Sequence, residues 1–183
     1  EHDACGVSFV VDIKGRARHE IVSLGIGALC NLEHRGATGA EVETGDGAGI
    51  LIQMPDLFLR EVAGCSLPPR GAYGAGLAFL PTDGALNSLA TQAIERIVGE
   101  EGLRTLGWRS VPVDPTCLGT SARRVMPAFA QIFVQDLAGA TGIDLDRKLF
   151  IVRKRIEHEL PAEQYTYFPS LSSRTLVYKG MLT

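Results

Sequence analysis

Cys5-Gly6 heads an apolar run, Val7-Ser8-Phe9-Val10-Val11, and the basic cluster Leu32-Glu33-His34-Arg35-Gly36 follows further along the chain. A cysteine attacks as its thiolate, and positive charge beside it lowers a free-thiol pKa from about 8.5. Arg35 is the candidate source of that charge. Gly6, lacking a side chain, lets a ligand come close to the backbone. Two plainer readings stand beside this one. Free cysteine often packs as a small hydrophobe, and His34-Arg35 also suits the end of a helix with Gly36 as its C′ glycine. A helix can end there and still aim its last arginine at a thiolate.

Other groupings carry less chemistry. Thr44-Gly45-Asp46-Gly47-Ala48-Gly49 has neither the lysine nor the following helix of a phosphate-binding loop and instead precedes a strand, so it reads as a tight turn with Asp46 as a hydrogen-bond acceptor. His19-Glu20 and Glu157-His158-Glu159 lack the second histidine of a helical zinc site. Ser172-Ser173 has no G-x-S-x-G elbow and reads as turn material.

At 183 residues and 45% hydrophobic content, the chain can bury one sizeable core without metal or disulfide support. The net charge is -3, and the basic groups Arg123-Arg124 and Arg153-Lys154-Arg155 read as solvated faces, so neither nucleic acid nor a membrane surface is expected. No apolar run has membrane-spanning length and no secretory leader precedes the first strand, which points to a cytoplasmic protein. Cys5, Cys30, Cys65 and Cys117 have no C-x-x-C spacing, so free thiols are expected and no metal or iron-sulfur site within the segment. The last three read as replaceable core residues.

Hydrophobic periodicity gives the elements that must hold Cys5 in place. A buried strand is expected over residues 6–12 with a turn at Lys14-Gly15, then a helix over 19–33 in which Gly25 and Gly27 allow close packing on a sheet. A shaped glycine loop over 36–49 leads to a strand from Ile50 that Pro55 stops. Further strands are expected at 74–80, 103–113 and 129–134. Helices are expected at 83–99, capped by Asp83 or Thr82, and around Leu149, Val152, Ile156 and Leu160, ended by Pro161. Runs 165–171 and 175–178, joined by Ser172-Ser173-Arg174, have hairpin spacing.

Cys5-Gly6-Val7 with Asn31-Leu32-Glu33-His34-Arg35-Gly36-Ala37 resembles the N-terminal glutaminase of class II glutamine amidotransferases, which are N-terminal-nucleophile hydrolases. Within that class, Thr38-Gly39-Ala40-Glu41, Thr44 to Ile50, Ser170-Leu171-Ser172-Ser173-Arg174-Thr175 and Val177-Tyr178-Lys179-Gly180-Met181 resemble large subunits of glutamate synthases. The resemblance implies an α+β fold, the four-layer αββα sandwich of that hydrolase type, incomplete in this chain. It implies Cys5 as the nucleophile toward the side-chain amide of L-glutamine, with Arg35 of the H-R-G motif beside it. In the family the cysteine's own α-amino group carries the proton.

Two departures qualify the match. Glu1-His2-Asp3-Ala4 precede Cys5 and look like the remnant of a propeptide, leaving residues 5–183 as the front part of the glutaminase domain. The family's later H-S-R-F-S-T, H-N-G and distal aspartate elements, which hold glutamine and form the oxyanion hole, do not occur before Thr183; Ser8 replaces a common glycine. FMN, an iron-sulfur cluster and possible pairing with a small electron-transfer subunit are implied for a full enzyme that aminates 2-oxoglutarate, none of them in this segment. The alternatives are a non-catalytic folding or interaction fragment, inert alone, and another class II enzyme such as an amidophosphoribosyltransferase or asparagine synthetase.

Overall fold

A computed structural model describes residues 5–32, 36, 47–161 and 165–181. The fold is mixed α and β: α1 His19–Asn31, β1 Gly47–Gln53, α2 Asp56–Val62, β2 Gly74–Leu80, α3 Gly84–Glu100, β3 Leu103–Ser110, α4 Thr120–Val125, β4 Ala128–Asp136, α5 Gly142–Glu159, β5 Leu171–Ser172 and β6 Thr175–Met181. The chain divides into two compact units, one of Glu1–Ile50, Asp114–Val125 and Lys179–Thr183, the other of Leu51–Val113 and Met126–Tyr178. The pair β1-β6 forms a two-stranded sheet, and a four-stranded sheet has the order β3-β4-β2-β5.

In the second unit, β2 and β4 form the antiparallel centre of the sheet, in register from Gly74 opposite Val134 to Leu80 opposite Ala128. Alternating side chains divide between two faces, as the two-residue period of a strand requires. Ala78, Leu80, Ile132 and Val134 meet Ile94 and Ile97 of α3 and Leu145, Leu149, Val152 and Ile156 of α5. Phe133 and Ala75 meet Met54, Leu59 and Tyr73 in a second cluster on α2. Burial of each large side chain in these clusters contributes on the order of 2 kcal/mol. Within the run 103–113, β3 is a single strand bulged between Thr105 and Gly107.

Local chemistry explains the boundaries. The Asp83 carboxylate accepts from the Leu86 amide at 2.9 Å and caps α3, as the sequence predicts. Past α3, Gly102 takes φ +71, a left-handed angle suited to glycine, and turns the chain into β3. α2 escapes sequence prediction because it is only two turns long; Arg60 pairs with Asp56 at 2.9 Å, and the Tyr73 hydroxyl donates to Asp56 at 3.0 Å. The Arg60 guanidinium holds the Asp56 carboxyl below the usual range against the effect of burial. Burial, reinforced by Asp56, pushes the Tyr73 phenol up.

Several expectations need correction. The last two runs form no hairpin, because β5 pairs with β2 while β6 pairs with β1. Ser172-Ser173-Arg174 instead carries the chain from one sheet to the other. Asp146 of α5 fixes this passage by accepting from Ser172 Oγ at 3.1 Å, Ser173 N at 2.6 Å and Ser173 Oγ at 2.9 Å. A Cβ on Gly76 would lie 2.7 Å from the Ser170 carbonyl oxygen, so the β5 approach requires glycine there. Arg155 does not face water alone: it bonds Glu159, Glu100 and Glu101 at 2.6, 2.5 and 2.8 Å, which raises its pKa and ties α5 to the end of α3. Arg123 likewise holds a loop, donating to the Leu118 and Thr116 carbonyls at 2.8 and 2.7 Å.

The turn from β4 to α5 rests on Asp136, whose buried carboxylate accepts from the Ala140 amide at 2.7 Å and pairs with Lys148. Burial opposes its charge, yet Lys148 and that amide hold its pKa below the ordinary value. A depressed folded-state pKa stabilises the chain above the unfolded value, near about 4, and the stabilisation is lost as pH falls toward the folded value. Asp136→Asn should therefore cost on the order of 2 kcal/mol at neutral pH, moderated by the partial solvation of Lys148, and much less in acid. Urea unfolding midpoints at both pH values check this; an equal loss at both would refute the charge argument.

The first unit departs furthest from expectation. Residues 5–12 form no strand, and Val7, Phe9 and Ile13 are 90%, 89% and 98% exposed. An apolar run becomes a strand only where another strand satisfies its backbone, and no described strand pairs with this one. The expected turn does form: the Gly15 amide donates to Asp12 O at 2.8 Å with φ +66 at Gly15. Asp12 is kept anionic chiefly by Arg18, which it meets at 2.5 Å. Helix α1 begins at His19 as expected and ends at Asn31. A Cβ on Gly25 would lie 3.2 Å from Ile50 Cδ1 of β1, the expected close packing, whereas Gly27 has nothing within 4 Å. β1 starts at Gly47, earlier than predicted, and residues 37–46 of the glycine loop, with Asp46, lie outside the described residues.

Candidate active site

Cys5 is an exposed free thiol in the first unit. Its position follows from Gly6, where an added Cβ would sit 2.9 Å from Leu32 Cδ2 and 3.2 Å from Leu32 Cβ. The Cys5-Gly6 backbone thus lies against the residue that closes α1, and a larger side chain at position 6 would displace it. Leu32 is the C-cap of α1, its amide donating to the Leu29 carbonyl at 2.9 Å. The fold consequently brings the thiol segment to the C-terminal end of α1, from which the H-R-G sequence departs. Glu33, His34 and Arg35 themselves lie outside the described residues.

This geometry corrects the capping alternative. α1 ends at Asn31, so Gly36 is not its C′ residue, and the last turn carries no basic side chain. An arginine acting on a helix dipole must sit within the last turn.

The remaining cysteines also differ from expectation. Cys30 and Cys117 are exposed rather than core residues, and Cys65 is half-buried. Burial pushes the Cys65 thiol up, away from the thiolate form. α1 carries no buried residue, which explains why Cys30 has no core to enter. Among the described residues, no three His, Cys, Asp or Glu side chains gather to hold a metal ion, and no helix is long and apolar enough to cross a membrane.

Sequence reading missed Asp146, which organises the Ser172-Ser173 turn, because an aspartate on the polar side of a helix looks like any solvated one. The turn role given to the serines holds, since Ser172 Oγ accepts from the Arg174 and Thr175 amides at 3.0 and 3.2 Å.

A family model for class II glutamine amidotransferases matches residues 5–183. The chain is 40% identical over its whole length to "Glutamate synthase [NADPH] large chain" of Bacillus subtilis and to "Ferredoxin-dependent glutamate synthase 2, chloroplastic" of Arabidopsis thaliana, spanning 12% of each. It is 39% identical over its whole length to "Glutamate synthase [NADH]" of Schizosaccharomyces pombe, of which it spans 9%. These likenesses do not favour an amidophosphoribosyltransferase or asparagine synthetase. The chain belongs to the class II glutamine amidotransferases and corresponds to the N-terminal glutaminase region of glutamate synthase large chains.

Proposed function

We propose that Cys5 is the nucleophile of a glutaminase reaction supplying ammonia to the synthase activity of a longer chain. The observation that carries this reading is the seating of Cys5-Gly6 against Leu32. Arg35 follows Leu32 by three residues in the sequence. The thiolate attacks the side-chain amide carbon of L-glutamine, and the thiol proton passes through the Cys5 α-amine to the leaving nitrogen. Ammonia departs, leaving a γ-glutamyl thioester that water hydrolyses to glutamate and the free thiol. The α-amine role requires a chain beginning at Cys5, with residues 1–4 removed as a propeptide.

The architecture proposed for this chemistry is the αββα sandwich. It is supported by α3 and α5 covering one face of the four-stranded sheet and by α1 packing Gly25 on β1. FMN and an iron-sulfur cluster are proposed for the synthase part of the longer chain. The proposed setting is the cytoplasm, with the rest of the large chain and a small electron-transfer subunit as partners. The segment 1–183 alone is expected to be inactive.

The full-length processed protein should release ammonia from glutamine and not from asparagine, measured by a coupled ammonia assay; no release from glutamine would overturn the reading. Arg35→Ala should slow iodoacetamide alkylation of Cys5 near neutral pH and move its pH profile upward, because the cation favouring the anion is gone. Lysine should restore only part of this, lacking the planar fork. Identical profiles would return Arg35 to a structural role.

A further inference from the structure

We propose that Leu32 is a positioning residue for the Cys5 thiol, its side chain setting where the backbone of the nucleophile comes to rest; the inference rests on the glutaminase reading above. Residues 5–12 form no strand, so no ladder of hydrogen bonds to a described strand holds Cys5 in register. Side-chain packing takes that place. The three atoms nearest to a Cβ built on Gly6 all belong to Leu32: Cδ2 at 2.9 Å, Cβ at 3.2 Å and Cδ1 at 3.2 Å. The backbone beside Cys5 thus meets the Leu32 side chain at a distance that only glycine allows.

The position of Leu32 is set in turn by α1. Ile21, Val22, Gly25, Ala28, Leu29 and Leu32 are the partly buried positions between 19 and 32, and the residues between them are exposed. That spacing is one face of a helix. On this face Gly25 rests on β1, where its Cβ would meet Ile50 Cδ1 at 3.2 Å, and Leu32 follows about two turns further on, against Gly6. Two close contacts therefore run from β1 through α1 to the nucleophile, each made at a glycine. The Leu32 amide donates to the Leu29 carbonyl at 2.9 Å, which anchors its backbone and leaves the side chain as the adjustable part of the contact.

A misplacement of about 1 Å at a reacting centre can cost on the order of a hundredfold in rate. Leu32 carries no charge, so its effect reaches the reaction through the place of the thiol and not through its ionisation. That separates it from Arg35, whose proposed effect is on ionisation.

The test uses the full-length processed protein and compares Leu32→Ala, Leu32→Met, Gly6→Ala and the Gly6→Ala/Leu32→Ala double variant. Leu32→Ala should lower kcat for ammonia release about ten- to a hundredfold with KM within about threefold, the pattern of an interaction made in the transition state. Its iodoacetamide pH profile should keep the wild-type midpoint. Leu32→Met, of nearly equal volume, should stay within about threefold of wild type. Gly6→Ala should lose at least about tenfold, and truncating Leu32 in that background should raise kcat, because both Cδ atoms leave the space that the new Cβ needs. Additive losses, a moved pH midpoint or a change in KM alone would overturn the proposal. So would an equal fall in glutamate synthesis from free ammonia, which would assign Leu32 to folding. Wild-type protein that releases no ammonia overturns the functional reading and this inference with it; wild-type release matched by Leu32→Ala overturns the inference alone.

Discussion

Cys5→Ser is expected to lower ammonia release from glutamine by on the order of a thousandfold or more in the full-length protein, while glutamate synthesis supplied with free ammonia continues unchanged. The serine hydroxyl keeps the position and loses the easily formed anion, so only the step that breaks the amide bond suffers. External ammonia bypasses that step. Substitution of Cys30, Cys65 or Cys117 should leave both rates intact, because none sits at the head of the segment seated on α1. Parallel assays with glutamine and with ammonia separate the outcomes. Equal loss of both would mean that the serine variant disturbs folding or the synthase part, and full retention would remove Cys5 from the chemistry.

Retention of Glu1 to Ala4 should be nearly as damaging. With the four residues attached, the Cys5 nitrogen is an amide and cannot take the thiol proton. A positioned general base contributes about 10²- to 10⁴-fold, so unprocessed protein should fall below processed protein by that range. N-terminal sequencing of active and inactive fractions, with glutaminase assays on each, makes the comparison. An active fraction that still carries Glu1 would remove the α-amine from the mechanism and require another base.

What the sequence revealed and what it hid divide along physical lines. β2, α3, β4 and α5 were legible because their apolar periods match the faces they bury: Leu149, Val152 and Ile156 recur at helical spacing and all enter the core. Asp83 was legible as a cap because its chemistry is local. The β5–β6 passage was not legible, since hairpin spacing says nothing of which strand each run pairs with. The turn between them is held by Asp146, 26 residues away in sequence from Ser172. The exposed run from Val7 to Ile13 shows the same limit, because hydropathy records a need for burial without naming the neighbour. At the site, the Cys5-Gly6 pair and the H-R-G motif were readable as residue types. The contact of Gly6 with Leu32 was not, because it depends on where α1 ends.

The central claim, that Cys5 is the glutaminase nucleophile, is tested most directly by mapping where 6-diazo-5-oxonorleucine, a reactive glutamine analogue, attaches to the full-length protein. The account predicts a single adduct on the peptide beginning at Cys5, formed in step with loss of ammonia release and prevented by glutamine. An adduct on Cys30, Cys65 or Cys117, or complete inactivation with Cys5 unmodified, would contradict it.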